Sequence, residues 1–187
     1  MNAHALLVSI LIRSMDRETL SRALDSAARQ TWPNLEIVVV AACGSGHRDL
    51  PTEHAGRPLR LVGTGGKLTR PQAANAALEA ARGEWLNFLD DDDELLPEHI
   101  ATLMSAPRPN SERVVFSRTR VIDANGKPLG HISHAGNRVQ LPVKYKNCRK
   151  NAFSVGKNTF LPVNPIYCKL TKERTSKAFC VLTNFVV

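Results

Sequence analysis

Two aliphatic runs, Leu6–Ile12 and Leu35–Val40, narrow the folds open to this chain more than any other feature. The second is apolar enough to be buried on both faces, which is the pattern of a strand inside a parallel sheet. Two shorter runs of strand length follow, Leu59–Val62 and Trp85–Leu89. The segments between them carry helical spacing. Leu20, Ala23, Leu24, Ala27 and Ala28 recur on one face of a helix that Asp16 is placed to cap and that ends near Gln30, where Thr31-Trp32-Pro33-Asn34 breaks it. Thr69 with Gln72 forms a capping box, Pro71 is tolerated in the first turn, and an alanine-rich stretch continues to Gly83, a residue suited to the C′ position. Strand and helix alternate over about 90 residues, which predicts an α/β fold with a Rossmann-like, mostly parallel sheet flanked by helices.

The run Trp85–Leu89 ends abruptly in Asp90, Asp91, Asp92 and Asp93. Carboxylates just beyond the C-terminal end of such a strand stand where open α/β sheets bind ligands. Four like charges there repel unless water or a cation offsets them. Hard oxygen ligands suit Mg²⁺ or Mn²⁺, ions that commonly share their coordination sphere with phosphate oxygens. The alternative is a solvated acidic turn ahead of a helix starting near Pro97, where carboxylates favour the helix dipole.

Length and composition fit one soluble domain with a proper core. Ala5–Ile12 is too short for a membrane span and lacks the basic start of a signal peptide, so a cytoplasmic protein is expected. Cys43, Cys148, Cys168 and Cys180 show no Cys-x-x-Cys spacing and suggest neither a zinc site nor a disulfide framework. The net charge of +8 arises wholly after residue 140, where nine Lys and Arg face one acid, Glu173. Residues 1–140 are therefore read as the core, and 141–187 as a basic, Lys-rich tail. Its interleaved aromatics would permit binding to nucleic acid or to an anionic membrane surface. A solvated end is preferred, with weak peripheral membrane association as the partner reading and no nucleic acid expected.

Three stretches together resemble the family 2 glycosyltransferases, which have the A-type nucleotide-sugar transferase fold. They are Leu7–Arg17, Ala23–Val40 and Asn75–Asp93, in that order and with these spacings. The resemblance implies transfer of a sugar from a nucleotide-diphosphate donor to an acceptor that the sequence does not identify. It places the Asp-x-Asp metal motif on Asp90 and Asp92, with Asp91 alongside in the donor site. By position, Ser14, Asp16 and Arg17 fall in the first nucleotide-contacting turn, where Arg13 replaces the usual proline. Ala41-Ala42-Cys43 stand where the family commonly has acids that read the base. Ala74 replaces an arginine, and Arg70, one turn earlier, is the substitute assigned to the donor site. The family's general base is an Asp or Glu of the acceptor half. After Glu112 this chain has only Asp123 and Glu173, neither in a matching context, so no catalytic residue is assigned. The expectation is a chain that carries the donor half and truncates or replaces the acceptor half. The alternatives are a non-catalytic nucleotide- or partner-binding remnant of that fold, or a nucleotidyltransferase.

Three further signals are weaker. Gly63-Thr64-Gly65-Gly66-Lys67 lies between a strand and a helix but lacks the P-loop ending, so a mobile loop is expected rather than a phosphate cradle. His131 and His134 are spaced to share a helical face, without the companions of a metal site. His99 is expected on the surface of its helix.

Overall fold

The computed structural model describes residues 6–105, 119–123 and 127–132. A five-stranded sheet forms from β1 (Val8–Ser14), β2 (Leu35–Ala41), β3 (Glu53–His54), β4 (Arg57–Val62) and β5 (Trp85–Asp90), in the order β3-β4-β2-β1-β5. All pairings are parallel except that of the two-residue β3 with β4. The expected mostly parallel α/β architecture is thus present. The helices are α1 (Leu20–Ala28), α2 (Arg70–Ala80) and α3 (His99–Met104). A separate antiparallel pair joins β6 (Thr119–Ile122) to β7 (Pro128–Ile132).

The strand period of two sorts the aliphatic runs into two cores. Val8, Ile10 and Ile12 of β1 and Leu35, Ile37 and Val39 of β2 face α1 and α3. Leu11, Val38 and Val40 face Ala73, Ala77 and Leu78 of α2. Ile10, Ile12 and Ile37–Val40 are wholly buried, as central strands of a doubly covered sheet should be. The small side chains of α2 let that helix lie close on the sheet.

At the sheet's N-terminal edge, buried Glu36 organises the crossing from α2 to β5. Its Oε1 accepts hydrogen bonds from Ser9 Oγ at 2.5 Å and from the Arg82 N–H at 2.6 Å, while the Gly83 N–H donates to Ser9 Oγ at 2.8 Å. A Cβ on Gly83 would lie 2.6 Å from Ser9 N and Oγ and 2.9 Å from the Leu7 carbonyl. The glycine is required by this close approach and not, as expected, by a left-handed C′ conformation. The helix ends instead with Ala81 in an extended conformation. The capping box does form: Gln72 Oε1 accepts the Thr69 N–H at 2.9 Å.

Gln30 and Ser26 of α1 secure the segment after the acidic run. Gln30 Nε2 donates to the Leu96 carbonyl at 2.8 Å, its Oε1 accepts the Ile100 N–H at 3.0 Å, and Ser26 Oγ accepts the Leu95 N–H at 3.1 Å. α3 begins at His99 rather than Pro97, and His99 is half-buried with its Nε2 enclosed, not on the surface. His131 lies in β7, not on a helix. His134 and the tail 141–187 lie outside the described residues. Among the described residues, no helix is long and apolar enough to cross a membrane.

Candidate functional site

β1 and β5 are adjacent and parallel, so their C-terminal ends present their last residues to one another. Arg13 pairs in register with Asp90, and the turn after β1 meets the acidic run. Each carboxylate there meets this turn differently. Arg13 pairs with Asp90: its Nε donates to Oδ1 at 3.1 Å, while Nη2 lies 3.1 Å from Oδ2 as an ion pair without hydrogen-bond geometry. Asp91 is completely buried: its Oδ2 accepts the Met15 N–H at 2.6 Å and its Oδ1 accepts Arg17 Nη1 at 2.8 Å. Asp92 is 47 % exposed and accepts the same Arg17 Nη1 at 2.7 Å through Oδ2. Its Oδ1 receives no hydrogen bond among the described residues. Asp93 is buried, and its Oδ1 has no hydrogen-bond partner among the described residues. Desolvation, and then the charges of Asp90, Asp92 and Asp91, push its carboxyl up to about 7. Arg22 of α1 adds an ion pair to Glu94.

The turn itself has an unusual backbone. Asp16 adopts φ +61°, a left-handed conformation that aspartate tolerates better than most residues. It is therefore not the helix cap expected of it; the N-cap position of α1 is Thr19, whose side chain makes no capping hydrogen bond. Arg48, from the segment after β2, holds the turn open. Its N–H donates to Asp16 Oδ2 at 3.0 Å, its Nε to Asp16 Oδ1, and its Nη2 to the carbonyls of Asp16 and Arg17 at 3.0 and 2.8 Å. Burial raises the Asp16 carboxyl, but the Arg48 hydrogen bonds and the nearby charges of His47 and Arg48 hold it below the ordinary carboxylate range.

Ser14 is wholly buried at the centre of this turn, and its Oγ accepts the Asp16 N–H at 3.0 Å. It also lies 2.8 Å from His47 Nε2 and 3.4 Å from Asp91 Oδ2. His47 Nδ1 is 2.7 Å from the Arg48 carbonyl, which can only accept, so that nitrogen carries a proton. The Ser14 hydroxyl proton goes to Asp91 Oδ2 when Nε2 carries a proton and to Nε2 when it does not.

Of the residues assigned from sequence, Ser14, Asp16, Arg17, Asp90, Asp91 and Asp92 form one contiguous cluster. Arg70 does not join it: it is exposed at the start of α2, and no hydrogen bond or ion pair links it to these residues. His47 and Arg48 were not anticipated, because 33 residues of chain separate His47 from Ser14 and no local pattern marks the contact. The glycine-rich loop is likewise anchored to the end of β2. Thr64 Oγ1 contacts the Ala41 and Gly66 carbonyls at 2.9 Å, and the Leu68 N–H donates to the Ala42 carbonyl at 2.9 Å. Gly44, at φ +91°, approaches this loop so closely that a Cβ would meet Gly66 C at 3.0 Å.

Among the described residues, no three His, Cys, Asp or Glu side chains converge to hold an ion. A divalent ion here would have at most two carboxylates from the protein. That donor set fits Mg²⁺ or Mn²⁺ bound together with substrate phosphates and water. Asp92, the more exposed of the two and with Oδ1 open, fits better than Asp90, both of whose oxygens lie 3.1 Å from the Arg13 guanidinium.

The family model "Glycosyl transferase family 2" matches residues 9–166. The succinoglycan biosynthesis protein ExoO of Rhizobium meliloti is 27 % identical over 119 residues, 63 % of this chain and 34 % of that protein. A glycosyltransferase of Haemophilus influenzae is 27 % identical over 105 residues, 56 % of this chain and 35 % of its own length. The chain thus spans about a third of the length of these curated relatives. Among solved structures, S. aureus TarS 1–349 in complex with UDP superposes with a TM-score of 0.44 and 21 % identity, covering 54 % of this chain and 31 % of that one. The matched stretch contains every residue of the cluster at the ends of β1 and β5, and it makes up most of the chain: this protein belongs to glycosyl transferase family 2.

Proposed function

We infer that the chain binds a nucleotide-diphosphate sugar at the C-terminal ends of β1 and β5 and supplies the donor side of a metal-assisted glycosyl transfer. The observation carrying this reading is the meeting of Arg13 with Asp90, and of the Ser14–Arg17 turn with Asp91 and Asp92, at that edge in a chain of this family. Asp92, with Asp90 beside it, holds Mg²⁺ or Mn²⁺. When bound, the ion acts as a Lewis acid on the leaving pyrophosphate.

The protein's own groups have separate tasks. Arg17 and Arg13 bring positive charge to the edge where the diphosphate lies. Ser14 and Asp91 are buried, so they serve the donor by shaping the turn and not by touching it. Asp16, clamped by Arg48, fixes the left-handed step that aims the backbone of the turn. Arg70 stays a more distant contributor, reaching the donor from the start of α2. The basic tail over 141–187 gives a peripheral contact with an anionic membrane on the cytoplasmic side.

The test is a thermal-shift panel with Mn²⁺ and UDP-, GDP- and dTDP-sugars. At a hundred times Kd, a bound donor stabilises the fold by about 2.7 kcal/mol, a rise of several degrees. Asp92→Asn removes the metal-dependent part of that rise. A melting temperature unmoved by every metal and donor pair refutes the reading. A non-catalytic nucleotide-binding remnant is the second reading. Sugar transfer or donor hydrolysis by the chain eliminates it.

A further inference from the structure

One nitrogen, Arg17 Nη1, lies 2.8 Å from Asp91 Oδ1 and 2.7 Å from Asp92 Oδ2. It sits where a cation bridging two carboxylates would sit. Its two partners are not equivalent. Asp91 is buried and retains the Met15 N–H whatever Arg17 does. Asp92 is half exposed, and Arg17 is its only hydrogen-bond partner among the described residues. Arg17 has an exposed side chain, while Arg48 Nη2 pins its carbonyl at 2.8 Å. The guanidinium is thus free to swing on a fixed backbone.

The surrounding charges lead the same way. Asp90, Asp91, Asp92 and Glu94 are met by Arg13, Arg17 and Arg22, so most of the repulsion that would draw in a bare dication is already relieved. A metal ion arriving alone gains little and must displace a hydrogen-bonded guanidinium. An ion arriving with a diphosphate brings a new partner for that guanidinium, because arginine matches phosphate oxygens as well as it matches carboxylates.

We propose that Arg17 is an exchangeable counter-cation that holds Asp92 until a divalent ion and a nucleoside diphosphate arrive together, then releases Asp92 to the ion and pairs with the diphosphate. This rests on the donor-site reading above. It makes metal and nucleotide bind with positive coupling, each weak without the other.

The test is Mn²⁺ titration of the full chain followed by electron paramagnetic resonance, with and without UDP, GDP or dTDP, on wild type, Arg17→Gln and Arg17→Lys. In wild type, nucleotide tightens Mn²⁺ by roughly tenfold, within the usual range of coupling energies. In Arg17→Gln, Mn²⁺ alone binds roughly five- to tenfold tighter than in wild type, and the coupling falls below about twofold. Arg17→Lys, which keeps the charge but not the planar fork, lies between. Equal Mn²⁺ affinity in all three proteins, with nucleotide coupling intact, overturns the exchange and leaves the donor site standing. Absence of Mn²⁺ binding in wild type even with all three nucleotides overturns the donor-site reading as well. Should the Gln variant fail to fold, the Arg17 Nε–Hε resonance of wild type decides. It shifts when Mg²⁺ and UDP are added together and hardly moves with Mg²⁺ alone; an unmoved signal under both conditions counts against the proposal.

Discussion

Replacing Asp93 by asparagine should stabilise this protein at neutral and alkaline pH. Asp93 is 3 % exposed, its Oδ1 lacks a hydrogen-bond partner among the described residues, and it stands among three other carboxylates. Its carboxyl is raised from 3.8 to about 7, first by desolvation and then by Asp90, Asp92 and Asp91. Each unit of such a shift corresponds to about 1.4 kcal/mol, so the ionised carboxylate opposes folding by at most about 4 kcal/mol. The direction with pH follows from linkage. Above pH 7 the group is ionised in both states and the folded protein bears the whole penalty. As the pH falls through 7 the folded carboxyl takes up a proton and the penalty shrinks. Below 3.8 both states are protonated and nothing remains. The Asp93→Asn side chain keeps the shape and cannot ionise, so urea denaturation in EDTA at pH 8 should show the variant more stable by about 2–4 kcal/mol, the lower end allowing for local relaxation. The gain should fade at about pH 5 and vanish near pH 3.5. Equal stability at pH 8, or a gain that grows on acidification, refutes the reasoning.

The other predictions concern the scaffold around the site. His99 is enclosed, and burial lowers it from 6.5 to about 4, so its contribution runs the opposite way: stability is lost as pH falls from 6.5 toward 4. His99→Gln should remove about 3 kcal/mol of that acid sensitivity, read from urea midpoints at pH 7 and pH 4. Gly83→Ala drives a methyl into Ser9 and the Leu7 carbonyl and should destabilise by about 2–3 kcal/mol, measured by equilibrium unfolding. Gln30→Ala strands the Leu96 carbonyl and the Ile100 N–H and should lower stability by about 2–3 kcal/mol. Hydrogen exchange should quicken over residues 94–100 in that variant.

How far the sequence could be read depends on the range of the interactions involved. The strands Val8–Ser14, Leu35–Ala41, Arg57–Val62 and Trp85–Asp90 were visible because burial writes itself into consecutive residues. The capping box at Thr69 was visible because its partners are three residues apart. Asp16 misled for the same reason. An aspartate ahead of a helical pattern resembles a cap, and only Arg48, 32 residues away, holds it in the left-handed region instead. His47 carried no local signal at all, since it lies in the loop after β2 and its partner Ser14 ends β1. The acidic run was expected to need a cation to relieve its repulsion. The fold meets most of that need with Arg13, Arg17 and Arg22, a pairing that spacing along the chain does not disclose.

Burial then divides the family-like stretches into residues that can meet a ligand and residues that cannot. Ser9, Gln30, Glu36, Gly83, Ser14 and Asp91 all fall within or beside those stretches, and all are buried with their polar atoms engaged inside the protein. They fix where strands end and how turns leave them. Arg17 and Asp92, each with more than two-fifths of its side chain exposed, are the members of the cluster open to exchange. A burial-first reading therefore predicts two classes of damage. Substitutions at Glu36 or Gln30 should lower the melting temperature with and without nucleotide alike, because they loosen the sheet edge. Substitutions at Asp92 should leave the unliganded stability within about 0.5 kcal/mol of wild type and abolish the shift produced by metal and nucleotide together. Loss of the nucleotide response in a fully stable Glu36 variant would break that division, since a residue at the far edge of the sheet has only stability through which to act.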